Sequence, residues 1–272
     1  MVIFTQTHTQ IQRNIIELRG KKLRSGWRSL LAVLAYAAED PEPELCDHAF
    51  EVLSLAVKDY SSRDGELTNH HFDALIQCTA AFARSTNGGR TSELAVNLLR
   101  QFGNDLVHSE SEMLNWSSAL SDLILEQNLE TRMLSSQVLF DLLQNKKKKW
   151  SQDVLRVAMV ESIFPSIRRG LAMKSDWFDT NGLSALNKIT FLFEEKILNA
   201  ALLPSFVDML LSHAERKDLK KKELFIEVFI DVLKRLLSDE NAFRKRMTRL
   251  LRLYNVKVTN FVCDYIDREV VC

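Results

Sequence analysis

The sequence predicts an all-α fold, and three observations lead there: few turn-forming residues, apolar stripes of helical period, and breaks at regular intervals. Average usage would place about 19 Gly and about 14 Pro in a chain of this length. The 272 residues contain 8 and 4. A sandwich or barrel reverses direction every ~8–12 residues and draws on Gly, Pro, Asn and Asp to do so. The deficit therefore favours long helices joined by short connections. With 46% apolar and 26% charged residues, the composition is that of a globular chain with enough apolar mass for a core.

The stripes justify the elements in order. Leu30 to Ala38 forms an apolar helix closed by Asp40-Pro41, which reads as an N-cap with proline at the first position of the next helix, where a missing amide hydrogen costs nothing. After the Gly88-Gly89 break, Leu94, Ala95, Leu98, Leu99, Phe102 and Leu106 step by three or four and share one face. Ser109 and Glu112 make a capping box ahead of Leu120, Leu123 and Ile124. Met133, Leu134, Val138, Leu139, Leu142 and Leu143 form the next stripe, and Leu224, Phe225, Val228, Phe229, Val232, Leu233 and Leu236 the widest. Breaks fall at Ser61–Gly65, Ser85–Gly89, Asn145–Trp150 and Lys217–Lys222.

About twelve helices result, over 24–39, 42–60, 69–85, 91–107, 111–127, 130–145, 151–170, 178–197, 200–215, 218–238, 240–253 and 257–269. Short connections make consecutive helices antiparallel. Hairpins of about 40 residues match the period of HEAT and armadillo units, so the expected product is a HEAT/armadillo-like α-solenoid. The expectation is one stack over 1–272: a lead-in at 1–23, stacked hairpins over 24–253, and a C-terminal helix or cap over 254–272.

Charge and cysteine usage restrict function. Lys plus Arg equals Asp plus Glu at 36 each. There is thus no global field for nucleic acid or an anionic membrane, and any electrostatic role must be local. Cys46, Cys78, Cys263 and Cys272 are far apart and form no C-x-x-C pair, which reads as reduced cytosolic thiols. Polar residues at Thr5–Gln10 interrupt any signal-like run, and the longest apolar run falls well short of a membrane span.

No catalytic set emerges. Gly88-Gly89 lies between helical patterns and reads as a linker turn, not a phosphate loop. His70 and His71 sit about 100° apart on a helix and are poor joint ligands. His71 and Cys78 share a face but lack further ligands, so a buried structural thiol is the simpler reading. No metal or cofactor is expected. Three basic clusters remain: Lys146–Lys149, Lys220–Lys222, and Arg244, Lys245, Arg246, Arg249 and Arg252. The two lysine runs fall at helix junctions, where Lys is an ordinary helix-end residue. The arginine cluster adjoins Leu250, Leu251 and Leu253 and is the candidate contact for a partner or an anionic membrane. Trp27, Trp116, Trp150 and Trp177 stand near helix starts, where packing between repeats is expected.

Several motifs in order carry a resemblance: Arg24-Ser25-Gly26-Trp27 before the Leu30–Ala38 helix, Asp40-Pro41, Ala49-Phe50-Glu51-Val52, Cys78 to Ala83, and Thr91-Ser92 leading into Ala95–Leu99. Trp116, Arg132 with Val138-Leu139-Phe140-Asp141, Ile163-Phe164-Pro165 and Trp177 continue it. From about residue 20 to about residue 240 the sequence resembles the helical, HEAT-like region downstream of the catalytic domain in large brefeldin-A-related Arf guanine-nucleotide exchange factors of the BIG type. The four lysines at 146–149 depart from the glycine and apolar residues usual there.

The exchange domain of that family is absent from this chain, which has no Pro-Gly, so no catalytic residue carries over and no enzyme activity is expected. The resemblance implies a regulatory or scaffold role in Golgi and endosomal vesicle traffic. It implies partners among Arf- or Rab-type small GTPases or other trafficking proteins. Peripheral membrane contact and a cytoplasmic location follow, with no nucleic acid and no integral membrane segment. The other reading is an α-solenoid adaptor outside vesicle traffic, in nuclear transport or a cytoskeletal scaffold.

Overall fold

The computed structural model describes residues 26–60, 66–85, 89–145, 150–172 and 177–214, together with Val232. Among the described residues every regular element is helical. The expected helices at 218–238, 240–253 and 257–269 lie outside that set, apart from Val232, which is helical and buried. By contact the chain divides into two compact units, Met1–Gly170 and Leu171–Cys272.

In the first unit α1 (Gly26–Ala37) buries Trp27, Leu31 and Leu34, one side of a helix at spacings of four and three. Asp40 closes the turn after it, its Oδ1 accepting from the Glu42 amide at 3.0 Å. α2 spans Pro43–Tyr60. The proline at the first helical position is therefore Pro43, two residues beyond the expected Pro41, which lies in the turn. α3 spans Glu66–Arg84 with a kink at His71, and α4 spans Gly89–Asp105. α5 (Glu110–Leu123) and α6 (Leu129–Leu143) complete three hairpins.

The first helices of successive hairpins start at Gly26, Glu66 and Glu110, and the next helix starts at Gln152, so the period is 40 to 44 residues. α1, α3 and α5 pack side by side in one layer, and α2, α4 and α6 in the other. This is the two-layer stack of an α-solenoid, in which alternate helices are neighbours. Edge-on ring pairs tie the layers: Phe50 of α2 with Phe82 of α3 at 5.3 Å, and Phe72 of α3 with Phe102 of α4 at 6.5 Å.

Packing narrows the stripes read from the sequence. Ala95, Leu99 and Phe102 are wholly buried, whereas Leu94 and Met133 stand outside, 43% and 50% exposed. A helix in a two-layer stack keeps an outer side, and both residues fall at the margin of their apolar arcs. The predicted capping box is present. Ser109 Oγ accepts from the Glu112 amide at 3.2 Å, and Glu112 Oε2 accepts from the Ser109 amide at 2.8 Å. Asn128 caps α6 in the same manner, its Oδ1 accepting from the amides of Glu130 and Thr131.

The helix expected over 151–170 starts at α7 (Gln152–Val157), widens to a π segment over Ala158–Ile163 and continues as α8 (Phe164–Ala172). Pro165 supplies the reason. A proline inside a helix lacks a donor and crowds the carbonyl four residues back. The wider turn, with the Phe164 amide reaching back to the Met159 carbonyl, absorbs it without ending the helix. This segment packs on α5.

In the second unit a π segment (Phe178–Gly182) leads into α9 (Leu183–Glu194), and a 3₁₀ turn (Ala200–Leu202) leads into α10 (Leu203–Ala214). Phe193 and Phe206 meet at 5.7 Å between α9 and α10. α9 ends with the Ile197 amide on the Leu192 carbonyl at 2.9 Å and the Lys196 amide on the Phe193 carbonyl at 3.0 Å. That is a Schellman cap. Lys196 holds its left-handed position at φ 57°, where glycine is usual.

Candidate binding surfaces

Stacking brings together side chains that are far apart in sequence. Arg28 on α1, His70, His71, Asp73 and Gln77 on α3, and Ser111 and Glu112 on α5 line an open groove of about 500 Å³. Arg28, His70 and Glu112 stand 42 residues apart in turn and are the third, fifth and third residues of α1, α3 and α5, near the starts of successive hairpins. The sequence reading missed this set, and the 42-residue register was the signal that could have found it. Asn115 Nδ2 donates to Asp73 and pins α5 to α3 beside the groove. The histidine rings meet edge-on, centroids 6.5 Å apart.

The electrostatics of the groove are local. Burial raises the Glu112 carboxyl, but the amides of Ser109 and His108 outweigh it, and its pKa lies below the usual carboxylate range. With one guanidinium, two carboxylates and two imidazoles, the groove suits hydrogen bonding to a polar surface. Among the described residues no group of three or more His, Cys, Asp or Glu gathers in metal-binding geometry. Cys78 is buried, and desolvation pushes its thiol up to about 12. Cys46 Sγ lies 3.5 Å from Ser85 Oγ in the core between α2 and α4.

On the same layer, ion pairs join the stack laterally. Arg84 of α3 reaches Glu126 beyond α5 at 3.7 Å, and Arg169 of α8 reaches Asp122 of α5 at 3.1 Å. Burial raises the Glu126 carboxyl, Arg84 lowers it, Asp122 raises it, and the net direction is up. Arg132, part of the sequence motif, is buried and donates to the Glu126 carbonyl at 3.5 Å. It is a packing residue of the α5–α6 turn. Trp116 also behaves as packing between repeats, wholly buried against α4.

The arginine cluster Arg244, Lys245, Arg246, Arg249 and Arg252 lies outside the described residues, as do Lys146–Lys149 and Lys220–Lys222. Among the described residues no helix is long and apolar enough to cross a membrane.

Hairpins stacked in two layers at a 40-to-44-residue period are the mark of α-solenoid proteins, and that is the class the fold defines. Comparison with known proteins carries the assignment further. The family model described as Mon2/Sec7/BIG1-like, HDS (Sec7-like HDS) matches residues 8–55, which include α1 and most of α2. The chain is 22% identical over 218 residues to brefeldin A-inhibited guanine nucleotide-exchange protein 1 of Bos taurus and to that of Homo sapiens. Each alignment covers 70% of this chain and 12% of the relative, so the chain spans a small part of the length of these proteins. No solved structure matches the chain. Both likenesses fall on the family that the ordered motifs resemble.

Proposed function

We propose that this chain is a non-catalytic regulatory or scaffold region of a large Arf guanine-nucleotide exchange factor-like protein. It serves Golgi and endosomal vesicle traffic by binding Arf- or Rab-type small GTPases, partner proteins or, peripherally, anionic membrane. It works in the cytoplasm and at those membranes. The observation that supports this reading is the coincidence of a two-layer helical stack with likeness to the exchange protein over 70% of the chain. The family model that matches is the HDS one, a helical match by the fold seen here at α1 and α2.

A stack of this kind binds through the outer faces of its layers, with apolar anchors rimmed by charge. Arg244, Lys245, Arg246, Arg249 and Arg252 are the proposed electrostatic contact. The test mixes the purified chain with Arf- and Rab-family GTPases in both nucleotide states and with Golgi-like liposomes. Nucleotide-state-dependent or lipid-dependent binding is expected, and its loss on reversing three charges of the cluster would assign the contact. Binding to none of these probes removes the reading. Acceleration of GDP release from Arf by the chain alone would overturn its non-catalytic part.

A further inference from the structure

We propose that the outer face of the α2–α4–α6 layer docks a basic amphipathic helix of a partner protein. This deepens the scaffold reading and rests on it, because it names one binding face and the chemistry that fits it. The two layers differ in charge. On α1, α3, α5 and α8 exposed Asp73 and Glu110 stand with exposed Arg28, Arg168 and Arg169, and Arg84 pairs with Glu126 and Arg169 with Asp122. On the other layer, Glu44, Asp47 and Glu51 of α2, Glu93 of α4 and Glu130 of α6 are all exposed, against Lys58 and Arg90 as exposed bases.

Helix stability accounts for part of this set. Glu44 and Glu130 sit in first turns, where a carboxylate complements the helix dipole. Asp47, Glu51 and Glu93 lie beyond their first turns and gain little from it. α4 is held to α2 by the bond from Thr91 Oγ1 to Asp47. On the same layer three large apolar side chains stand in solvent, Leu94 on α4 and Leu129 and Met133 on α6.

A carboxylate field around apolar anchors is complementary to a helix with Leu at i, i+3 and i+4 and Lys or Arg at the margins of that stripe. The apolar anchors hold such a helix, and the charges steer its approach and choose its sign. An anionic membrane is repelled by the same field.

The test uses the full chain and a fluorescent synthetic peptide of Leu and Lys at helical spacing, with a Leu–Glu peptide as its acidic counterpart. Fluorescence anisotropy reads affinity at low and at high salt. The Leu–Lys peptide is expected to bind, weakening as salt rises, and the Leu–Glu peptide is not. Reversal at Glu51→Lys, Glu93→Lys and Glu130→Lys should weaken binding at least about tenfold. Leu94→Ser with Met133→Ser should weaken it about threefold or more, at unchanged circular dichroism. All five positions are exposed, so these variants keep the core.

Equal binding by the charge-reversed chain, equal binding of the acidic peptide, or capture of anionic vesicles through this face would overturn the inference. If the GTPase and liposome arms fail while the peptide binds, the trafficking reading falls and this surface stands. If they succeed while the peptide does not bind, the surface alone falls.

Discussion

The indole of Trp116 lies against the backbone of Gly103 so closely that a methyl group there would stand 2.7 Å from Cζ2. Its Nε1 donates to the Leu99 carbonyl at 2.7 Å, so α5 is keyed into α4 by one wholly buried side chain. No large side chain at position 103 is compatible with this approach. Gly103→Ala should therefore destabilise the chain despite the better helix propensity of alanine. Overpacking costs about 1–3 kcal/mol, and alanine returns about 1 kcal/mol in a helix interior. A net loss of about 1 kcal/mol is expected in urea unfolding. Trp116→Ala, which empties the site, should cost about 3–5 kcal/mol. A Gly103→Ala protein more stable than the parent would contradict the keyed contact.

Glu112 and Glu126 should pull the pH profile of stability in opposite directions. Glu112 has a folded pKa below its ordinary 4.5, so its contribution is present above that value and is lost as pH falls through the lowered one. Glu126 has a folded pKa above 4.5, so its contribution is present in acid and lost as pH rises through the raised one. Glu112→Gln should lower the neutral-pH melting temperature and change little in strong acid. Glu126→Gln should raise stability at neutral pH relative to its effect in acid, because the neutral amide avoids the desolvation of a carboxylate. Ser109→Ala, which removes the other half of the cap, should cost about 1 kcal/mol. Parallel pH curves for both glutamine variants would refute the opposed assignment.

Lys196→Gly should stabilise the second unit. A side chain bearing Cβ is strained in the left-handed region by about 1–2 kcal/mol, and glycine gives back roughly half of that gain through its greater freedom when unfolded. An increase of about 1 kcal/mol is expected, with the Schellman bonds of Ile197 and Lys196 retained as slow amide exchange. Loss of stability would mean that the lysine side chain contributes a contact outweighing its backbone cost.

Cys78 should be inert in the folded chain. Its thiol is pushed up to about 12 by burial, so almost no thiolate exists near neutral pH. Alkylation followed by mass spectrometry should leave the peptide carrying Cys78 unmodified until denaturant is added. Fast labelling under native conditions would show that α3 opens locally.

Element existence was legible because it depends on local pattern. The capping box at Ser109 and Glu112 and the stripe of Ala95, Leu99 and Phe102 needed no knowledge of neighbours, since capping bonds and helical periodicity both act within a few residues. The proline cap was misplaced by two residues because Pro41 and Pro43 are both acceptable there by local rules. The turn geometry around Asp40 chose between them. The groove of Arg28, His70 and Glu112 was not legible in any one segment, because its members meet through lateral packing of helices whose order a periodic sequence leaves open.

By itself the sequence determined that the described residues would be helical and, to within a few residues, where most of their helices would start and stop, because backbone propensity and apolar period are short-range properties. Tertiary packing decided that α1, α3 and α5 share one layer and α2, α4 and α6 the other. With that it decided that Arg28 and Glu112 would line one groove, that Leu94 would remain outside, and that Pro165 would be absorbed in a π turn. The physical reason is that neighbours across a stack are chosen by the shape of whole helix surfaces, a property no single stretch of sequence carries.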